Sequence, residues 1–406
     1  MSGQKFLDYF ISQFKETTTN ELEPIAYTEE QTYGMIEITL LYETYCAWTY
    51  LIILANLIHC FIILPFSVTV NVLHYLISFK NKFTQKGLCH IALLFIITLS
   101  IFLASYLSPA YIYHWIRGQN TLKIYVMYNL LDISDNLMRK IGHCNIENIC
   151  CTIYEHKYRN IALALLNGLI YVQVHTFILF VQMLTLFAAF NSSTNNLLVL
   201  LISSNLGEIK TSLFKRVETH LLFKFICNDI VERVQLFIYF AVLLTQQNET
   251  WLMMLEKMWI MIGTEIIVDW LKYNIFPRLS PDAIKRYKEF YNGLFVEVIR
   301  LKLKYDLNGI SEDVFVKPNL LPRCTEGPNI KLFAYSTECF FLLSKNMNFV
   351  TLPHITLIGR FLIPALFNSH FSVFTWILLF TIAILSYSLI DRWIYAAAIS
   401  KGIKTN

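Results

Sequence analysis

Residues 263–272 read GTEIIVDWLK, and they close an apolar run that includes Met253, Met254, Met258, Trp259 and Met261. Glu265 and Asp269 are four positions apart, so on a helix they project from one face, a turn apart. Paired carboxylates in apolar surroundings have three chemical readings. They can take up a cation or proton, be neutralised by Lys or Arg from a neighbouring helix, or form part of a docking face. A second group, His143, Cys144, Cys150, Cys151 and His156, carries metal-ligating atoms. Its spacing matches no familiar zinc module, so ordinary packing is expected there and no metal. His175 stands alone in a long apolar stretch, where a hydrogen bond to a neighbouring helix is a commoner role than proton relay. The sequence has no Walker loop, no dinucleotide-binding glycine pattern, no GxSxG and no HExxH. No enzymatic activity, cofactor or nucleic-acid partner is expected.

A further set of charges lies in LGEIKTSLFKRVETHLLFKFICNDIVERVQ at 206–235, where Glu208, Lys210, Lys215, Arg216, Asp229, Glu232 and Arg233 mix both signs. Asp229 followed by Glu232 has the spacing of a helix start, and a span is expected to begin there. A short turn around Asn248 then returns the chain, so the helices before and after it run antiparallel. That arrangement brings Arg233 and the basic segment preceding it close to Asp269 and Glu265. Neutralisation between helices accounts for the paired carboxylates without transport chemistry; an ion or proton site remains the alternative.

The elements that must position these groups are set by the solvent. The 406-residue chain is 55% hydrophobic and only 15% charged, with a mean hydropathy of +0.48, whereas soluble domains carry about 25% charged residues. Thr44–Phe79, Gly87–Ile116, Asn160–Gly207 and Phe361–Ile390 contain no Asp, Glu, Lys or Arg. A helix needs about 20 apolar residues to cross a bilayer. Roughly seven spans are expected by that measure, near 48–72, 88–112, 161–190, 230–247, 251–271, 349–366 and 371–390. The fold class is an all-α polytopic membrane bundle, because helices satisfy their backbone groups inside lipid and these runs lack a barrel's alternation.

The segments outside those spans divide into an acidic N-terminus at 1–43, a membrane domain at 44–395 and a short basic tail at 396–406. The connection KNKFTQK at 80–86 carries three lysines and no acid, which places it in the cytosol. Alternation then puts 272–348 in the cytosol and 113–160 in the lumen, although the latter holds six basic residues. Residues 281–305 and 122–141 have amphipathic helical spacing, the latter through Leu122, Tyr125, Leu130, Ile133, Leu137 and Ile141. Both are expected to rest their apolar faces on neighbouring spans. Asn248, in the sequence NET, is a candidate glycosylation acceptor on the lumenal side.

The stretch LLISSNLGEIKTSLFKRVETHLLFKFICNDIVERVQLFIYF at 200–240 resembles the long central block of the Tapt family. YVMYNLLDISDNL at 125–137 and GTEIIVDWLKYNIFPRLS at 263–280 are similar to further family blocks in the same order. The matching positions include Glu208, Lys210, Phe214, Lys215, Arg216, Asp229, Ile230, Val231, Glu232 and Arg233, then Val268, Asp269, Trp270 and Lys272. Asn129, Asp132 and Asp135 match the first block less completely. The resemblance implies a multi-pass protein of the endoplasmic reticulum membrane with no established catalytic activity. It also implies a SUN-domain-like membrane partner and a role in protecting newly made proteins.

Overall fold

The computed structural model describes residues 29–78, 85–154, 158–191, 219–245, 251–275, 344, 347–368 and 373–402, and these residues are helical apart from short turns. Ten α-helices are described. They are α1 (Glu29–Ile58), α2 (Leu64–Ser78), α3 (Gln85–Ser105), α4 (Pro109–Arg117), α5 (Thr121–Tyr154), α6 (Tyr158–Phe190), α7 (Thr219–Leu244), α8 (Trp251–Ile275), α9 (Thr351–Asn368) and α10 (Val373–Gly402). A π-helical segment, His59–Ile63, joins α1 to α2 without interrupting the rod. Pro65 explains the wider turn: it has no N–H to donate, and its ring crowds the carbonyl of Phe61 four residues earlier.

Three helical segments among the described residues have the length and hydropathy to cross a membrane: Thr39–Ile77, Gly87–Ser105 and Asn160–Ala189. The first extends well beyond the expected 48–72. The second is shorter than the expected 88–112, because the chain breaks at residues 106–108 and α4 starts at Pro109. A proline cannot continue the helix before it, and Ser108 is accordingly extended (φ −83°, ψ 112°).

Two other expectations are corrected. Helix α7 starts at Thr219, ten residues before Asp229, so Asp229 is an interior helical residue and not a cap. Its carboxylate faces a lysine on the next helix, which removes any need for it at free amides. Residues 122–141 belong to the longer α5, and the apolar stripe expected to rest on neighbouring spans points away from them. The face that packs carries Ile124, Tyr128, Asp135, Arg139, Gly142 and Ile149 instead.

Helices α5 and α6 form an antiparallel hairpin packed along most of its length. The pairing runs from Ile149 against Gly168, through Gly142 against Tyr171, to Asp135 against His175. Helices α3 and α9 pack on α6, and α7 contacts α8, α9 and α1. One buried cluster joins Cys60, Ile96, Ile149 and Val172, and a second joins Ile124, Phe180, Tyr239 and Met261. A third joins Tyr42, Ile53, Ile230, Val234 and Phe349. The 281–305 segment lies outside the described residues.

Candidate functional site: two buried ionic clusters

The first cluster joins α1, α7 and α8. Arg233 Nε donates to Asp269 Oδ2 at 2.7 Å, and both side chains are nearly or wholly removed from solvent. Lys272 Nζ lies 3.1 Å from Asp229 Oδ1 and 3.6 Å from Asp269 Oδ1. The two helices are therefore tied by crossed pairs, Asp229 to Lys272 and Arg233 to Asp269. On α7 the acid precedes the base by four positions; on α8 the acid precedes the base by three. Residues at these offsets share a helix face, which lets two antiparallel helices bring opposite charges into contact twice.

Helix α1 closes the cluster. The hydroxyl of Tyr42 donates to Asp269 Oδ2 at 3.3 Å, and the Arg233 guanidinium lies 5.2 Å from the centre of the Tyr42 ring. Glu43 accepts from Arg233 Nη1 at 3.1 Å and from the indole N–H of Trp270 at 2.8 Å. The side chain of Glu43 remains one-third exposed, so the cluster reaches the molecular surface along Glu43 and Trp270. Glu265 is buried a turn before Asp269, with Met261 a further turn back in the core. Glu232 accepts a hydrogen bond from Asn228 within α7.

The second cluster lies between α5, α6, α7 and α9. Asp135 accepts from His175 Nε2 at 2.7 Å and from Gln235 Nε2 at 2.9 Å, and it pairs with Arg139 Nη2 at 3.1 Å. Arg139 Nη2 also donates to Asn136 Oδ1 at 2.7 Å. The remaining contacts assign the tautomer of His354. His354 Nδ1 is 2.7 Å from the Val350 carbonyl and must carry the proton, which leaves Nε2 to accept from Gln235 at 3.3 Å. His175 donates through Nε2, and its Nδ1 lies 2.7 Å from the Tyr171 hydroxyl. One continuous chain of donors and acceptors thus runs through four helices, with Asp135 at its centre. The Asp135, Arg139, His175 and His354 side chains are fully buried.

Beside this second cluster, the Tyr171 side chain packs directly onto the backbone of Gly142. The Tyr171 hydroxyl occupies the place that a Cβ on residue 142 would take, so any larger residue there forces the Tyr171 ring to move. A further cation, Arg360 on α9, donates to the Leu107 carbonyl in the break between α3 and α4, and stacks 4.5 Å from the centre of the Phe180 ring.

The structure brings Asp229, Arg233, Asp269 and Lys272 into one cluster and sets Ile230 and Val231 in the adjoining core. Val268 is half-buried, and Trp270 is exposed beside Glu43. Glu208, Lys210, Phe214, Lys215, Arg216 and the sequon at Asn248 lie outside the described residues. Among the candidate metal ligands, Cys150 is buried against Cys89 and Cys144 points outward; His156 lies outside the described residues. Sequence reasoning missed the roles of Tyr42, Glu43, Arg139, Gln235 and His354. A detectable signal existed for Arg139, which stands four residues after Asp135 on one helix face.

Long apolar helices pinned together by buried ionic contacts define an integral membrane protein of the helical class. Residues 83–401 match a family described as a Eukaryotic membrane protein family. The chain is 30% identical over 294 residues to the Protein TAPT1 homolog of Dictyostelium discoideum, covering 64% of this chain and 35% of that one. Identity to the Protein TAPT1 homolog of Caenorhabditis elegans is 24% over 303 residues, 71% of this chain and 42% of the relative. For the Transmembrane anterior posterior transformation protein 1 homolog of Danio rerio it is 26% over 316 residues, 73% and 56% respectively. The protein belongs to the Tapt family. The alignments cover between about a third and somewhat over half the length of these relatives. No solved structure matches the chain. Tyr42 and Glu43 precede the matched region, whereas every other member of both clusters falls inside it.

Proposed function

We propose that this protein is a non-enzymatic scaffold or quality-control subunit of the endoplasmic reticulum membrane, acting with a membrane partner of the SUN-domain-like kind. The observation that carries this reading is the crossed pairing of Asp229 with Lys272 and Arg233 with Asp269. Breaking a buried pair costs roughly 3–5 kcal/mol because a charge is left uncompensated. A carboxylate held that way is suited to fixing helix positions, and poorly suited to exchanging an ion at every cycle. Where the cluster reaches the surface it presents Glu43 and Trp270, a combination of charge and aromatic area that a partner's helix or loop can engage.

The test uses the full-length protein purified in mild detergent, with co-purifying proteins identified by mass spectrometry. Wild-type protein is expected to retain the same membrane partner as an apolar double variant carrying Arg233→Met and Asp269→Leu, while either single variant loses it. Reconstitution in liposomes supplies the opposing outcome: solute flux abolished by Glu265→Gln in an otherwise folded protein would replace the scaffold reading with a transport one.

A further inference from the structure

Helix α5 has its polarity reversed relative to a helix lying on a membrane surface. Leu130, Ile133 and Leu137 are 63%, 67% and 55% exposed, whereas Asp135 and Arg139 are fully buried. Hydropathy averaging cannot register this arrangement, because it counts Asp135 and Arg139 although both face protein. The outward charges near this stripe are Lys123 and Lys140, about 25 Å apart along the helix at 1.5 Å per residue. Measured from Asp135, Lys123 lies about 18 Å away and Lys140 about 8 Å away at 1.5 Å per residue, and a lysine inside the slab can extend its ammonium group toward the headgroups.

The partner helix fixes where α5 sits. Helix α6 contains the candidate span Asn160–Ala189, and His175 stands at its midpoint. Asp135 touches His175, and the antiparallel pairing continues on both sides of that contact, to Gly168 in one direction and Met183 in the other. A helix bonded to the middle of a span and parallel to its axis shares the same slab of lipid. The geometry points to α5 as a membrane-crossing helix whose stripe of Val126, Leu130, Ile133 and Leu137 faces the hydrocarbon. This inference does not depend on the scaffold reading.

Charge distribution agrees. The start of α3 lies beside the end of α5, where Cys89 and Cys150 are in contact. Chain order then brings two basic stretches of sequence to one membrane face: KNKFTQK at 80–86, which runs into the first turn of α3, and Lys157 and Arg159, which flank the start of α6. Both satisfy the positive-inside rule if that face is cytosolic. Helix α3 leaves the face, α5 returns to it and α6 leaves it again. The basic residues that sat awkwardly in a lumenal 113–160 are redistributed by this extra crossing.

Two measurements on the full chain in native membranes test the crossing. A short glycosylation acceptor tag with flexible flanks is inserted at 118–120 in one variant and at 155–157 in another, and added mass is read against the parent protein. Modification of the 118–120 tag alone is expected; modification of both or neither overturns the inference. A photo-crosslinking amino acid is then placed at Leu130 or Leu137, a single outward-facing change that leaves the hairpin interior intact. Adducts with membrane lipid are expected. Crosslinks to a second copy, or to another segment of the same chain such as 281–305, would show that protein covers the stripe and overturn its assignment to lipid.

Discussion

The guanidinium of Arg233 and the carboxylate of Asp269 meet at 2.7 Å between two antiparallel helices, and the same Asp269 oxygen accepts from the Tyr42 hydroxyl on a third. This contact converts a family sequence block on α7 and another on α8 into one structural unit. Arg233 also reaches Glu43, so a single cation serves carboxylates on two different helices.

Removing one member of the pair should therefore be much worse than removing both. Arg233→Met or Asp269→Leu alone is expected to cost roughly 3–5 kcal/mol, while the double variant should recover most of that loss, as apolar replacement of whole buried pairs does elsewhere. Thermal unfolding of the detergent-solubilised protein, followed by intrinsic fluorescence, measures the difference. Equal loss in the single and double variants would contradict the pairing.

Asp135 is expected to tolerate even an isosteric change poorly. Asp135→Asn keeps the shape but leaves Arg139 without its counter-charge inside the bundle, and should cost about 3 kcal/mol or more. His354→Gln removes only a peripheral member that accepts one hydrogen bond and donates another, for a cost near 1 kcal/mol. The ranking of the two melting temperatures is the readout.

Gly142→Ala should destabilise the α5–α6 hairpin by about 1–3 kcal/mol, because its methyl group meets the Tyr171 ring and hydroxyl. Shortening the opposing side chain should relieve the clash. A Gly142→Ala, Tyr171→Val double variant is expected to be less impaired than the sum of the two single changes, which a double-mutant cycle of unfolding temperatures would reveal.

Trp270→Phe tests the surface edge of the first cluster. The indole N–H bonds Glu43, which also holds Arg233, and the side chain is 41% exposed. Loss of this bond should change stability by about 1 kcal/mol or less. If the edge serves recognition, retention of a membrane partner in mild detergent should fall far more than the melting temperature does.

What could be read from the sequence followed the strength of each physical signal. The apolar runs announced a helical membrane protein, and the offsets of Arg233, Asp269 and their neighbours announced an interhelical ionic contact. Asp229 was misread because its local pattern fits a helix start, whereas upstream residues extend the helix and Lys272 takes the carboxylate. The orientation of α5 was misread for a related reason. Helical periodicity finds two contrasting faces but cannot say which solvent each one meets, and in lipid the apolar face turns outward. His354 and Gln235 gave no local sign at all, since their importance comes from a carboxylate on a distant helix.

The Asp135 network also dictates an order of events during synthesis. Gln235 follows Asp135 by 100 residues, and His354 follows Gln235 by a further 119. A ribosome delivering this chain releases α5 long before Gln235 and His354 exist, so Arg139, and then His175, are the partners of Asp135 available while most of the remaining helices are being made. The polar junction is complete only once α9 has been made, and His354 on that helix is the last of its members in chain order.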